Sequence, residues 1–345
     1  ASEGADTIDY TITTGSLPSG LTMGADGTIT GSTGDNTSDP NGDTTSTFTV
    51  QATDDENQTN TQSHTITLKE EPYKYEIARS LTFKGYENIS FSHFSGTHGN
   101  RKLGTMSCWV KANDFDVFQA LYNVHVDGSN FVIVRGEQNN SANGTGYQVY
   151  DINGAIDYND YTDGASASTS VWNHVVWRWD TDASSGSDRF KWWVNGVEQR
   201  TMNTVGEAYP SSYPTLFGYI SSQHYIGYYQ DSNQYSRMQL AEFHYCDGYR
   251  YQASDFGEFY RGLWRPKAVS GLSYGSKGFY LNFQGSDITT VLEDKSGNNN
   301  HGSNGGNNFD MNDVNDYDTP TNNFATWEMR SFSGSEALNI YNGGL

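Results

Sequence analysis

Two tryptophan-rich runs, Trp172-Asn173-His174-Val175-Val176-Trp177-Arg178-Trp179 and Phe190-Lys191-Trp192-Trp193-Val194, restrict the fold more than any other part of the chain, and Asn195-Gly196 follows at once. Aromatic and β-branched side chains suit a pleated, half-buried surface. Asn-Gly after such a run is a strong hairpin signal, because the favoured two-residue turn needs positive φ at both positions. The runs therefore read as paired strands, with a further strand starting at Val197. Ser80-Leu81-Thr82-Phe83 and Thr105-Met106-Ser107-Cys108-Trp109-Val110-Lys111 alternate at period two, and Phe131-Val132-Ile133-Val134-Arg135 reads as another strand.

At 345 residues the chain has room for two or three domains with cores of their own. Aromatics make up 14% of it, with 24 Tyr and 17 Phe, and 37 Gly supply turns. That combination predicts an all-β protein built of sandwiches. Forty-one acidic against 20 basic residues give a net charge of −21, which repels phosphate backbones and argues against nucleic acid or an anionic membrane as partner. No apolar run approaches the roughly 20 residues that span a bilayer, and no signal peptide is seen. The start at Ala1 and the end at Gly343-Gly344-Leu345 read as a segment of a longer protein. Cys108 and Cys246 stand far apart in no metal-ligand spacing, so two free buried thiols are expected, with one disulfide as the alternative.

Residues 1–69 carry short β-prone runs separated by polar turns: Tyr10-Thr11-Ile12-Thr13, Gly27-Thr28-Ile29-Thr30-Gly31, Thr47 to Ala52 and His64 to Leu68. The series Gly15-Ser16-Leu17-Pro18-Ser19-Gly20-Leu21, Gly27 to Gly31 and Phe48-Thr49-Val50-Gln51-Ala52-Thr53-Asp54 resembles the Ig-like domains repeated in bacterial and phage surface proteins. Lys69-Glu70-Glu71-Pro72 changes composition and removes a backbone donor, marking a boundary. Beyond it come the Leu-Thr-Phe opening strand, Ser-Cys-Trp-Val-Lys, Trp-Asn-His-Val, the Trp-Val-Asn-Gly hairpin and finally Leu240-Ala241-Glu242-Phe243-His244-Tyr245-Cys246-Asp247-Gly248 with Gly262-Leu263-Trp264-Arg265-Pro266-Lys267. This order resembles the concanavalin A-like (laminin-G-like) jelly rolls of appendage and other structural proteins of marine bacteriophages.

The expected organisation is an Ig-like β-sandwich over 1–70, a jelly roll over 73–285, and a Gly/Asn/Asp-rich extension over 286–345. Gly278-Phe279-Tyr280-Leu281-Asn282-Phe283 resembles the segment with which many such jelly rolls open, although here it follows the closing strand. The extension therefore either returns in part to the jelly roll or leads to a further module.

A retaining glycosidase needs two carboxylates about 5 Å apart, and glucanases of the resembled superfamily carry them in a Glu-x-Asp-x-x-Glu run. The chain has no such run, no zinc-type His cluster, no nucleophile elbow and no phosphate loop, so no catalytic residue is assigned and a non-enzyme is expected. Glu242 is the nearest acid, read as a carboxylate bonded to a neighbouring strand or loop. Calcium is the metal that the acidic loops suit, with Asp313 and Asp316 in the run Asp310 to Asp318, and Asp294 and Asn298 in an Asp-x-Ser-Gly-Asn turn, as candidate oxygen ligands; solvated or Asx turns are the alternative. Sugar recognition combines an aromatic face with a few polar groups, and Tyr209, Tyr213, Tyr225 and Tyr228 are the candidates.

The resemblance implies a virion structural or appendage protein at the particle surface, a tail fibre, a tail-associated or a capsid-surface protein, that displays a lectin-like domain for host-surface glycan attachment or for packing between subunits. Its partners would be a host-surface glycan or polysaccharide, other virion proteins, and further copies of itself, trimers being common among fibres. A bacterial surface adhesin and a glycan-degrading enzyme are the alternatives.

Overall fold

The computed structural model describes residues 8–33, 44–68, 75–91, 96–113, 118–138, 145–153, 156–162, 171–199, 208–260 and 262–323. The chain divides into two compact units, Ala1–Pro72 and Tyr73–Leu345.

In the first unit β1 (Asp9–Gly15), β2 (Leu21–Met23), β3 (Ile29–Gly31), β4 (Thr44–Thr53) and β5 (Thr59–Leu68) form a three-stranded sheet, β1-β4-β5, and a small hairpin, β2-β3. The β4–β5 ladder runs unbroken from Thr44 opposite Leu68 to Thr53 opposite Thr59. Threonines face each other across it, Thr45 with Thr67 and Thr47 with Thr65, each hydroxyl pair at 3.3 Å. Such pairs stabilise a sheet whose surface is mostly polar. Phe48 and Pro18 are the buried apolar side chains of this unit among the described residues.

The second unit is a two-sheet sandwich. Its strands are β6 (Ser80–Lys84), β7 (Glu87–Phe91), β8 (Leu103–Ala112), β9 (Gln119–Asp127), β10 (Asn130–Gln138), β11 (Thr145–Asn153), β12 (Ile156–Tyr161) and β13 (Asn173–Asp180). There follow β14 (Phe190–Val194), β15 (Val197–Gln199), β16 (Gln223–Ile226), β17 (Tyr228–Tyr229), β18 (Gln234–Tyr235) and β19 (Arg237–Asp247). The remaining elements are α1 (Ala253–Phe256), β20 (Gly257–Tyr260), β21 (Leu263–Pro266), β22 (Phe279–Leu281), α2 (Ile288–Val291), β23 (Ser303–Gly306), β24 (Val314–Asn315), β25 (Asp318–Thr319) and β26 (Asn322–Asn323). One sheet has the order β12-β11-β10-β9-β16-β7-β23, the other β15-β14-β13-β8-β19-β6-β24 with β22 added against β19. Every pairing is antiparallel.

The tryptophan runs form β13 and β14, paired from Val175 opposite Val194 to Trp179 opposite Phe190. Asn195 (φ 48°) and Gly196 (φ 78°) make the turn into β15. The inner faces of both sheets meet in one core that includes Trp177, Trp179, Trp192, Tyr122, Phe91 and Phe243, all essentially inaccessible. Residues 278–323 belong to this sandwich and do not begin a separate module: β22 pairs with β19, β23 with β7 and β24 with β6. The final part of the expected extension, 324–345, lies outside the described residues. Cys108 and Cys246 are free and buried, and burial pushes both thiols well above their usual range.

Strand β19 carries a bulge. Ala241 is opposite Trp109 and His244 opposite Ser107, so two residues, Glu242 and Phe243, face the single Cys108. Glu242 takes a left-handed backbone, φ 50°, which costs a non-glycine residue about 1–2 kcal/mol. The bulge lies where the edge partner of β19 changes from β6, at Leu240, to β22, at Phe243. It keeps Leu240, Phe243 and Tyr245 in the main core while Ala241 packs with Trp109, Trp172 and Ile77 on the opposite side. That opposite side is covered by the α1–β20–β21 segment, through Phe256 and Trp264, and by Tyr75 and Ile77.

Candidate functional site

The seven-stranded sheet buries His224 and Ile226 of β16 on its inner side, so Tyr225 between them faces outward. Gly227 (φ 83°) then turns the chain; a Cβ there would stand 2.3 Å from the Phe83 ring. This close approach lets β17 and β18 fold as a hairpin, with Tyr228 opposite Tyr235 and Tyr229 opposite Gln234. Tyr229 turns toward the sheet and packs on Phe131, while Tyr228 and Tyr235 stay half-buried. The Tyr228 ring stands 4.5 Å from Tyr235 and 5.2 Å, edge to face, from Tyr225. Amide side chains hold the phenols: Tyr228 donates to Asn233 Oδ1 at 3.0 Å, and Tyr225 donates to Gln223 Oε1. The result is a three-tyrosine cluster flanked by amides, in which Tyr225 is 9% exposed and the half-buried Tyr228 and Tyr235 offer the faces on which a sugar ring can stack.

Of the four tyrosines singled out in the sequence, Tyr225 and Tyr228 come together here. Tyr209 and Tyr213 form another pair, stacked with centroids 5.6 Å apart. Tyr209 has no exposed surface and Tyr213 is 8% exposed; Tyr209 donates to Asp151 Oδ2 at 2.9 Å. Burial pushes the Asp151 carboxyl up to about 7. These two rings are core elements with almost no face for a ligand. Tyr235 was missed in the sequence because it enters the cluster through a two-residue strand that no periodicity marks.

The acidic loops hold the backbone in shape. Asp294 accepts from the N–H groups of Tyr280, Ser296 and Asn300 and from the Ser296 hydroxyl, all within 2.9 Å. Asn298 donates to the carbonyls of Gly275 and Gly278. Asp313 is buried, accepts from the Asp310 N–H at 2.9 Å and pairs with Lys84, whereas Asp316 is exposed. Among the described residues no group of three or more His, Cys, Asp or Glu is placed to hold a metal ion.

A second polar constellation lies under the cover of the eight-stranded sheet. Glu242 is 4% exposed, and its Oε2 accepts from Tyr280 at 2.5 Å and Tyr75 at 3.2 Å. Its Oε1 has no partner among the described residues, and Glu242 lines a cavity of about 10 Å³, room for about one water, with Ser107, His174, His244 and Lys267. Burial pushes the Glu242 carboxyl up to about 7, against the pull of the two tyrosine hydroxyls. The same burial lowers His174 and His244 to about 3 and keeps both neutral. Trp264 Nε1 donates to His174 Nδ1 at 3.1 Å, so His174 Nε2 carries the proton and donates to Ser107 at 2.8 Å. His244 lies 3.9 Å from Glu242 Oε2 and bonds Tyr274 at 2.8 Å. No second carboxylate lines this cavity among the described residues.

A family model described as "Putative Ig domain" matches residues 1–69. No curated protein matches the chain. Among solved structures it is similar to a putative carbohydrate binding protein from Bacteroides ovatus, at 14% identity and a TM-score of 0.45, over 91% of this chain and 88% of that one. It is also similar to the CBM40 of a Ruminococcus gnavus IT-sialidase bound to α2,3-sialyllactose, at 15% identity and a TM-score of 0.31, over 48% and 92%. A third similarity is to domains LG4-5 of the mouse laminin α1 chain, at 10% identity and a TM-score of 0.34, over 60% and 48%. The chain is nearly all β: a first unit of short strands, whose residues match the Ig-domain model, and a second unit that is an antiparallel two-sheet sandwich.

Proposed function

We propose that the second unit is a non-catalytic glycan-binding module, displayed outside the cell on a bacteriophage particle as part of an attachment appendage. The observation that carries the binding reading is the half-buried Tyr228–Tyr235 pair, backed by the buried Tyr225 and edged by Asn233. Saccharide rings present apolar C–H faces and hydroxyl edges, and this surface offers rings to the first and amides to the second. Carbohydrate is the ligand class named for the Bacteroides and Ruminococcus proteins; for this chain it rests on the tyrosines, not on those similarities. The acidic surface and the sequence resemblance support the placement on a particle. The test is a glycan array probed with the full chain, with calcium and with a chelator, beside Tyr228→Ala. Binding that weakens at least several-fold in the variant supports the proposal, and undiminished binding refutes the assignment to this face. Calcium dependence would return the acidic loops to the site.

A second role, packing between copies, is favoured by one patch. Phe259, Leu263 and Val197 are 55%, 74% and 54% exposed. They are linked through Trp264, which stacks edge-on with Phe259 at 4.9 Å and covers Gly196. Such apolar exposure marks interaction surfaces. Light scattering of the wild type against Leu263→Ser tests it: an oligomer that dissociates in the variant supports packing, and a wild-type monomer removes it.

A further inference from the structure

The cover of the eight-stranded sheet, α1, β20 and β21 with the chain on to Tyr274, is held down mainly by rings. Phe256 lies against both histidines beneath it, its centroid 6.3 Å from His174 and 5.2 Å from His244. Trp264 fills a notch between two glycines: a Cβ on Gly196 would stand 2.1 Å from its ring, and one on Gly257 2.5 Å. The segment is tied at its ends. There the Tyr251 N–H donates to Thr105 Oγ1 and the Tyr274 carbonyl accepts from the Asp247 N–H, each at 3.0 Å, and the Tyr274 hydroxyl bonds His244. Between those ends, among the described residues, one hydrogen bond joins the cover to the sheet, Trp264 Nε1 to His174 Nδ1 at 3.1 Å. Bonds such as Arg265 to Glu258 and Lys267 to the Ser254 carbonyl stay within the cover.

The Trp264–His174 bond exists in one protonation state of the imidazole. An indole N–H donates and cannot accept, so His174 Nδ1 must be bare, while Nε2 is committed to Ser107 at 2.8 Å. A proton on Nδ1 would set two N–H groups against each other. No carboxylate is hydrogen-bonded to His174 among the described residues to compensate. Glu242, on the same cavity, is occupied at Oε2 by Tyr75 and Tyr280, and the other titratable walls, His244 and Lys267, bring no negative charge. Further along β13, Arg178 lies over Trp193. Burial acts in the same sense, holding His174 and His244 down to about 3, whereas it raises Glu242 to about 7. A histidine lowered in this way supports the closed form in full above 6.5 and loses that support as pH falls, by up to about ten-fold per pH unit. The raised Glu242 works in the opposite direction and offsets one of the two histidines.

We propose that His174 makes this cover acid-released: protonation at Nδ1 breaks the bond to Trp264, and the segment lifts from the sheet while the core beneath stays folded. Acidification then bares the outer face of the eight-stranded sheet, with Trp109, Trp193 and Cys246. The proposal does not depend on the glycan-binding reading. Two cysteines report on it. Cys246 packs with Ala253 and Phe256 under the cover, whereas Cys108 lies in the main core. The test follows labelling of both thiols in the full chain by a dipyridyl disulfide, which reacts in acid. Rates are taken between about pH 6.5 and pH 4.5, each relative to the urea-unfolded chain at the same pH. Wild-type Cys246 should react about ten-fold faster for each unit of acidification, with Cys108 still protected. His174→Asn offers Trp264 an acceptor that does not titrate, and Trp264→Phe removes the opposing N–H; each should flatten the rise, so that either serves if the other does not fold. A Cys246 rate independent of pH, a rise kept in full by a folded variant, or Cys108 reacting in step with Cys246 overturns the proposal.

Discussion

Glu242 combines a left-handed backbone, a buried oxygen without a partner among the described residues and a carboxyl held up to about 7 by burial. An acid whose folded pKa is raised contributes stability in full below its unfolded value, near 4.5, and loses it as pH rises to about 7. Asp151, also raised to about 7, acts in the same direction. His174 and His244, lowered to about 3, and His224, lowered to about 4, act oppositely: their contribution is complete above 6.5 and lost as the solution is acidified. Three imidazoles against two carboxyls place the optimum from these groups near pH 6.5. Glu242→Gln removes one of the two carboxyls. Its stability relative to wild type should therefore rise by about 3 kcal/mol between pH 4 and 8, by urea unfolding at each pH. A constant difference across that range would mean that the carboxyl does not titrate as its burial requires.

At the scale of elements, the hairpin turn at Asn195-Gly196 was legible because Asn-Gly after a Trp-rich run admits few other conformations. Gly196 has a second task that no sequence pattern shows. Its missing Cβ makes room for the Trp264 ring, which would otherwise stand 2.1 Å away. Gly196→Ala should thus cost more than the usual left-handed penalty, roughly 2 kcal/mol or more. Hydrogen exchange should also show loosening in β20 and β21, where Trp264 anchors the cover, and not merely at the turn. The bulge in β19 left a trace in the sequence as well: the apolar residues fall at Met238 and Leu240, then at Phe243 and Tyr245, a shift of phase that a regular strand would not show. Read at period two, that stretch hides the fact that Ala241, Glu242 and His244 all serve the side away from the main core. The Tyr228–Tyr235 pairing was not legible at all, since strands of two residues carry no period and Tyr235 is brought in by a turn at Asn233 (φ 51°).

At the scale of the molecule, composition alone placed the chain among all-β sandwiches, because strand-forming aromatics, abundant glycine and scarce lysine act on every segment alike. The return of residues 278–323 to both sheets was not decidable from sequence, as the short strands β23 and β24 are Gly- and Asn-rich and gain their pairing from β7 and β6. The two units differ greatly in buried apolar surface. The second unit has a core of many aromatic rings, whereas Phe48 and Pro18 are the buried apolar residues of the first unit among those described. Calorimetry of the full chain should accordingly show two transitions, the smaller and earlier one belonging to residues 1–72 and lost when they are deleted. The claim that the open tyrosine face binds glycan is tested most directly by solvent footprinting of tyrosines with and without a neutral oligosaccharide. Protection of Tyr228 and Tyr235, with Tyr249 and Tyr317 unchanged at their exposed positions, is the predicted result. Protection at Tyr249 or Tyr317 instead, with Tyr228 as reactive as in the free protein, would contradict it.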